Sequence, residues 1–384
     1  MSGKTALIYS DDFMKYDFGP THPLRPIRLK LMFELLRSMG VISGPLVSVH
    51  LPREATGEEL MMVHSKEYIE EVKAFSRTGV GYLDQGDTPA FKGIHEATAV
   101  AVGGSIVASD LVMSGEVSHA FNPAGGLHHA GKDHAAGFCV YNDIGVAIKH
   151  VQNKYGAKKV AVVDLDVHHG DGTQQIFYSD PNVLIVDLHE DGGYLYPGSG
   201  FTREMGEGAG RGYKVNVPLP PLTDSECYLH AFDEVVPPLL RSFSPEVIVN
   251  QFGVDTHFDD PLAHLSLTMS SYGELASRLH SLAHEICSGK YVVLGGGGYK
   301  PESVAIAWSI MFSKISGIRI PEKVPERWTD LCRETLKREP PKSFSDRYEY
   351  SGNSVRREKT AQLVDQRIAE VKTTIFPIHG IQPR

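Results

Sequence analysis

The residues able to do chemistry are densest between Asp164 and Asp171, where the string DLDVHHGDG gathers three acids and two histidines. It follows Val160 to Val163, an apolar run that reads as a strand buried on both faces and that Gly170 and Gly172 bring to an end. Alternate side chains of an extended chain share a side, so Asp164, Asp166 and His168 project together while Leu165 and Val167 project oppositely. Asp166 and His168 are spaced to ligate one divalent cation, since carboxylate oxygen and imidazole nitrogen both bind zinc at about 2.0–2.2 Å. Asp164 and Asp171 are placed to orient neighbouring imidazoles. Asp255, after a later apolar run, offers a third ligand and leaves a coordination position open, as a catalytic metal requires. His128 and His129 would serve as general base and acid if carboxylates hold their outer nitrogens. Tyr299, behind four glycines that permit close backbone approach, is placed to donate its hydroxyl to an oxyanion. The parts amount to metal-assisted hydrolysis of an amide or ester.

These residues must be brought together by the elements before them. Leu7 to Tyr9 reads as a short strand, and Arg25-Pro26 opens an amphipathic helix through Met39 with Leu29, Met32, Phe33 and Leu36 on one face. Val47 to Leu51 reads as a strand, Thr56 to Phe75 as one helix, Arg77 to Phe91 as a loop, and Gly93 to Met113 as a helix buried against a sheet. His119 to Phe121 is a brief strand stopped by Asn122-Pro123, and Asp143 to Tyr155 is a helix. Strands at Val160, Val183 to Leu188, Val247 to Phe252 and Tyr291 to Leu294 then alternate with helices at Asp224 to Leu240, Tyr272 to Cys287 and Pro301 to Ile315. Such alternation predicts an α/β fold, a mostly parallel sheet covered on both faces, whose ligands bind at the carboxyl ends of the strands. The rule gathers His128/His129, Asp166/His168, Asp255 and Tyr299 at one edge. A single catalytic domain is expected over residues 1–320, with 321–384 as an appendage: Pro321 to Pro341 is charged and proline-punctuated, and Ser354 to Val371 reads as an exposed helix.

The chain has 384 residues, 41% hydrophobic and 22% charged, with a formal net charge of −9. No basic run marks a nucleic-acid footprint, and no apolar stretch reaches the roughly 18 residues of a membrane span. Cys139, Cys227, Cys287 and Cys332 form neither a CxxC motif nor a disulfide framework, so a reducing cytoplasm is expected. Three weaker signals read as structural. His280 and His284 lie one helical turn apart but lack the HExxH pattern and read as an exposed helix face; Gly206, Gly208, Gly210 and Gly212 read as a mobile hairpin loop; Cys139 reads as a small buried thiol.

The strings HPLRPIR, GDTPAF, FNPAGGLHHA, GFCVYND, DLDVHHGDG, DLHE, YPGSG, NVPLP, GVDTH and LGGGGY run in order from His22 to Tyr299. In them the chain resembles the metal-dependent histone deacetylase superfamily, which includes bacterial acetoin-utilisation deacetylases. The resemblance implies an arginase/deacetylase-type three-layer fold with about eight strands, and hydrolysis of the acetyl amide of N6-acetyl-lysine. It implies one Zn2+, or Fe2+ or another divalent ion, on Asp166, His168 and Asp255. His129 with Asp171 resembles the general base/acid dyad, His128 with Asp164 its electrostatic partner, and Tyr299 the residue that polarises the carbonyl. Phe138 and Tyr196, with Gly137 and Gly297, resemble the lining of a narrow acyl channel; Leu262 stands near its mouth, and Asp87 resembles a rim carboxylate that holds the substrate backbone. The family's structural K+ or Na+ ions would lie at Asp164, Asp166, His168, Asp187 and Leu188, and at Phe177, Asp180, Val183 and Tyr213. Three residues depart from the family pattern. Asp187 replaces a common serine at the inner cation set, Tyr196 replaces a common phenylalanine, and Leu262 lacks the carboxylate that acetylpolyamine-specific members use.

An acetylated protein or peptide is therefore the expected substrate, with no nucleic acid or membrane partner and an oligomeric state the sequence does not specify. The alternatives are an amidohydrolase of acetylated polyamines or other small acetylated amines, and a non-catalytic acetyl-lysine binding module. An arginase-like centre would need a second metal and a second Asp-x-Asp pair, whereas GVDTH offers Asp255 and then His257.

Overall fold

The computed structural model describes residues 3–348 and 354–382. Its elements run β1 (Thr5–Ile8), α1 (Ile27–Ser38), β2 (Val47–His50), α2 (Gly57–Leu60), α3 (Lys66–Thr78), α4 (Ile94–Met113), β3 (His119–Asn122), α5 (Asp143–Tyr155), β4 (Val160–Asp164) and α6 (Asp171–Ile176). They continue with β5 (Val183–Glu190), β6 (Lys214–Leu219), α7 (Ser225–Phe243), β7 (Val247–Gln251), α8 (Met269–Cys287), β8 (Tyr291–Leu294), α9 (Pro301–Ser316), α10 (Glu326–Leu336) and α11 (Ser354–Thr374). The eight strands form one sheet in the order β2-β1-β3-β8-β7-β4-β5-β6, and every pairing is parallel. All residues of β4, β5, β7 and β8 are buried, so helices cover both faces. This is the three-layer α/β architecture the alternating pattern predicts.

The strand order explains why distant segments meet. The chain leaves β3 and next enters the sheet at β4, skipping two positions that β8 and β7 fill later. The register sets Asp164 beside Gln251, Gln251 beside Leu294, and Leu294 beside Asn122, so four adjacent strands stop at one level. The loops leaving that level carry Asp166 and His168, Asp255, Tyr299, and His128 and His129.

Several elements differ from the sequence reading. The helix expected from Thr56 to Phe75 is two helices, because Thr56 caps α2 in a reciprocal box with Glu59 and Ser65 starts α3 afresh by accepting from Tyr68 N. The glycine run at 206–212 is no hairpin: it leads through a short 3-10 turn at Gly208–Gly210 into β6, which pairs parallel with β5. No strand was expected there, since Lys214 and Asn216 interrupt its apolar pattern. Helix α4 is long and apolar enough to cross a membrane by length and hydropathy, but 72% of its apolar window is buried within the protein.

The C-terminal segment contains a helix, α10, whose Trp328 is buried with its indole Nε1 donating to Leu31 O of α1 at 2.7 Å. Helix α11 is not simply exposed. Val364, Ile368 and Val371 are buried as it lies along β6, the edge strand, with Arg367 on Asp191 at 3.0 Å and Arg357 on Asp224 at 2.7 Å. An edge strand left bare would be a template for other chains, and α11 covers it. We propose that residues 321–384 are an appendage that unfolds together with the catalytic domain. Ile368→Ala should then cost about 2–4 kcal/mol of whole-chain stability by urea unfolding, while Leu363→Ala on the exposed face should change it by less than about 0.5 kcal/mol. A separate early transition in Ile368→Ala would show instead that the tail unfolds alone.

Candidate active site

Asp166, His168 and Asp255 meet at the end of β4 and β7, each buried, with their donor atoms within 4.8 Å of one another. His168 Nδ1 lies 3.1 Å from Asp166 Oδ1 and 3.1 Å from Asp255 Oδ2. The remaining carboxylate oxygens are held by donors. Asp255 Oδ1 accepts from Val167 N at 2.9 Å, and Asp166 Oδ2 accepts from Gly297 N at 2.7 Å and Gln251 Nε2 at 2.6 Å. Two glycines are obligatory here: a Cβ on Gly297 would collide with the Asp255 carboxylate, and one on Gly253 with that of Asp166.

The electrostatics of this trio call for a cation. Burial first, and then the neighbouring Asp166, push Asp255 up to about 7. Burial alone would lower His168, but its hydrogen bonds to Asp166 and Asp255 outweigh that and raise it to about 10. An imidazolium at His168 would balance one of the two buried carboxylates and a divalent ion in place of its proton would balance both; two oxygens with one imidazole nitrogen are a donor set that zinc and related divalent ions accept.

Beside the trio stand the two histidines after β3. His128 Nδ1 lies 2.9 Å from Asp164 Oδ2, His129 Nδ1 lies 2.7 Å from Asp171 Oδ1, and the two Nε2 atoms are 3.1 Å apart. Each ring thus has a carboxylate fixing its outer nitrogen, as the spacing suggested. Burial, with the adjacent His128, pushes His129 down to about 4, so its imidazole is neutral at physiological pH. Tyr299 shares a narrow cavity with His128, His129, Asp166 and Gly297. Burial raises its phenol well above the usual value, which keeps the hydroxyl protonated.

The expected channel residues gather at the same place. The Phe138 ring is 5.9 Å from Tyr299, and Tyr196 is 5.1 Å from His129 and 6.3 Å from His168. Gly137 sits against the His129 ring at a positive φ of 50°, where a Cβ would strike it. Leu262 and Tyr299 are tied to each other through Asp260, whose two oxygens accept from Leu262 N at 2.9 Å and Tyr299 N at 2.8 Å. Asp87 is exposed, its carbonyl accepting from His22 Nε2 at 3.2 Å, and His22 packs edge-on to Phe138 at 4.5 Å. His257, the next candidate after Asp255, points elsewhere and pairs with Asp346 at 2.7 Å.

Four residues to which the sequence reading gave no role complete the site. Gln251 braces Asp166, and its Oε1 accepts from Gly253 N at 2.7 Å. Arg28 is buried, donates to Gly298 O at 3.0 Å and lines the same cavity. Asp143 accepts from Gly126 N and Leu127 N and so sets the loop before His128. Asp84 accepts from the Thr88 hydroxyl at 2.5 Å, and Thr88 in turn accepts from Phe138 N at 3.1 Å, which holds Phe138 at φ 69°.

The two expected monovalent-cation sets fare differently. At the inner set, Asp187 is partnered by His189 Nδ1 at 2.6 Å and Gly170 N at 2.9 Å, while Leu188 O accepts from the Tyr228 hydroxyl at 3.1 Å. At the outer set the carbonyls face a lysine. The carbonyls of Asp180, Val183 and Tyr213 accept from Lys214 Nζ at 3.0, 2.6 and 3.2 Å, and Phe177 is buried.

A parallel sheet with this cluster at its carboxyl edge defines an arginase/deacetylase-type α/β protein. A family model described as a histone deacetylase domain matches residues 22–315. The acetoin utilization protein AcuC of Bacillus subtilis (strain 168) is 38% identical over 382 residues, covering 96% of this chain and 98% of the relative. AcuC of Staphylococcus aureus (strain Mu50) is 38% identical over 359 residues, covering 90% of each. A solved HDAC homolog from Aquifex aeolicus shares the fold with a TM-score of 0.80 at 30% identity, covering 94% of this chain and 99% of that one. The chain belongs to the histone deacetylase family as an AcuC-like member, and is a deacetylase, a hydrolase acting on amides.

Lys214 generates a test. Burial pushes its amine down to about 7 against the pull of Asp180, and its loss would remove a donor from the carbonyls of Asp180 and Val183, while Tyr213 O keeps Ile185 N at 2.9 Å. Lys214→Met should destabilise the protein by about 3 kcal/mol in urea unfolding. Because the folded-state value is depressed, the unfolded chain holds the extra proton between pH 7 and 10.5, and wild-type stability should gain on the variant as pH rises through that window. A variant as stable as wild type would show that the carbonyls of Asp180 and Val183 do not depend on the lysine.

Proposed function

We propose that the protein is a zinc-dependent deacetylase hydrolysing the acetyl amide of N6-acetyl-lysine in proteins or peptides. The observation that carries this is the clustering of Asp166 and Asp255 at 3.1 Å from His168 Nδ1, beside a cavity that Asp166 lines together with the carboxylate-braced histidines and Tyr299. The first three residues would hold the ion, which when bound polarises a carbonyl and acidifies water. Asp164, Asp166, His168, Asp187 and Leu188 would in addition hold K+ or Na+.

The rest of the chemistry belongs to side chains. Phe138 and Tyr196 flank an extended acyl-lysine arm, and Tyr299 donates its hydroxyl to the acetyl oxygen as negative charge develops there. His129, neutral and oriented by Asp171, accepts a proton at Nε2 from the attacking water, whose oxygen bonds to the acetyl carbon. His128, held by Asp164, stabilises the charge that forms beside it. The C–N bond then breaks, the histidine pair returns the proton to the leaving amine, and acetate departs.

Exposed Asp87 is placed to accept backbone N–H groups of a peptide at the rim, and apolar Leu262 offers no charge to attract a polyamine. Both favour a peptide over acetylspermidine. The four buried, unpaired cysteines suit a reducing cytoplasm, where we place the activity.

Tyr299→Phe should lower kcat on an acetyl-lysine peptide by about 100- to 1,000-fold with metal content unchanged. Wild-type kcat/KM should be higher for that peptide than for acetylspermidine. Undiminished turnover by Tyr299→Phe removes the role given to its hydroxyl, and a preference for acetylspermidine moves the substrate to small amines.

A further inference from the structure

A second group of histidines lies at the opposite edge of the sheet. His119 opens β3, in register with Thr5 at the start of β1 and Tyr291 at the start of β8. His280 and His284, one turn apart on α8, are only half-exposed and face it, contrary to the solvent-facing reading of that helix. His284 Nε2 lies 3.0 Å from His119 Nε2 and 3.1 Å from His280 Nε2, and the donor atoms of all three fall within 4.8 Å.

Proton accounting shows that these contacts cannot both be ordinary hydrogen bonds. The Thr5 hydroxyl donates to Ile315 O at 3.2 Å, so it can only accept from His119 Nδ1, which lies 3.2 Å away. His119 therefore carries its proton on Nδ1 and presents a bare Nε2 lone pair. His284 Nε2 has a single in-plane position, and one proton cannot point along both of its short contacts. At most one of the two contacts can therefore be a linear N–H···N hydrogen bond. A cation among the three nitrogens satisfies all of them.

The surroundings suit a metal. Gly289, at φ +84°, backs the His284 ring, where a Cβ would come within 2.8 Å of Cε1. Burial lowers all three imidazoles below their usual range. The Thr5 hydroxyl on His119 Nδ1 is the kind of outer partner that orients a ligating imidazole.

We propose that His119, His280 and His284 form a second metal site, distinct from Asp166/His168/Asp255, for a divalent transition ion of the zinc type. Three neutral imidazoles without a carboxylate favour Zn2+, Ni2+ or Cu2+ over Mg2+ and Ca2+. The ion would clamp α8 to the first residue of β3, and so act on stability rather than on the reaction.

The test uses full-length protein stripped with chelator and titrated calorimetrically with Zn2+ alone. Asp166→Asn/Asp255→Asn should still take up one Zn2+ per chain and melt at a higher temperature with Zn2+ than without. His280→Ala/His284→Ala should bind one ion fewer than wild type and keep its deacetylase activity. Both latter positions are partly exposed, so the variant should fold, as circular dichroism would verify. The proposal is overturned if His280→Ala/His284→Ala binds as many ions as wild type, or if Asp166→Asn/Asp255→Asn binds none. Loss of activity metal in wild type with the histidine-linked ion retained would sink the proposed function and leave this site standing. A dinuclear centre at Asp166 is separated from it by the same pair of variants.

Discussion

Two carboxylates, each 3.1 Å from one imidazole nitrogen and all out of water, constrain everything else in this molecule. Removing such charges from water costs several kcal/mol per ion unless they are paired and fully hydrogen-bonded. The fold supplies the donors from backbone and neighbouring strands: Gly297 N from the loop after β8, Val167 N from the loop after β4, and Gln251 from the end of β7. The glycines of GGGG and GVD are there because those backbones must come closer than any side chain allows. What the donors leave uncompensated is the charge that a divalent cation would neutralise.

The sheet exists, in functional terms, to hold that cluster at one level. Four adjacent strands end in register, and each delivers one component across a loop of only a few residues. Further support is arranged in shells. Asp143 sets the turn before His128, Asp164 and Asp171 aim the two imidazoles, and Asp260 ties Tyr299 to the loop carrying Leu262. The Asp84–Thr88–Phe138 chain does the same for one wall of the cavity. Asp143 and Asp164 are fully buried, and each of these carboxylates is held by hydrogen bonds to the residue it positions.

Much of this is legible in the amino-acid sequence, for definite reasons. Strands β4, β7 and β8 are buried on both faces, so they appear as unbroken apolar runs, and the polar residues after them belong to one edge of a parallel sheet. Strand β6 is invisible by the same criterion. Lys214 and Asn216 are buried, but their partners, three carbonyls for one and Gln174 and Glu204 for the other, exist only after folding. Arg28 is hidden because a buried arginine in an amphipathic helix looks like a solvent-facing one. His280 and His284 resemble a polar helix face until His119, 165 residues from His284 along the chain, is brought against them. Residues that act through their neighbours, such as Gln251 and Asp260, leave no local pattern at all.

The central claim is that the trio at the end of β4 and β7 exists to bind a divalent ion. Crystals of zinc-loaded protein, with anomalous differences recorded at the zinc edge, test it most directly. The account predicts a peak about 2.0–2.2 Å from oxygens of Asp166 and Asp255 and from His168 Nδ1. The contradicting result is an absence of any peak there, with His168 Nδ1 still hydrogen-bonded to both carboxylates in fully zinc-saturated protein.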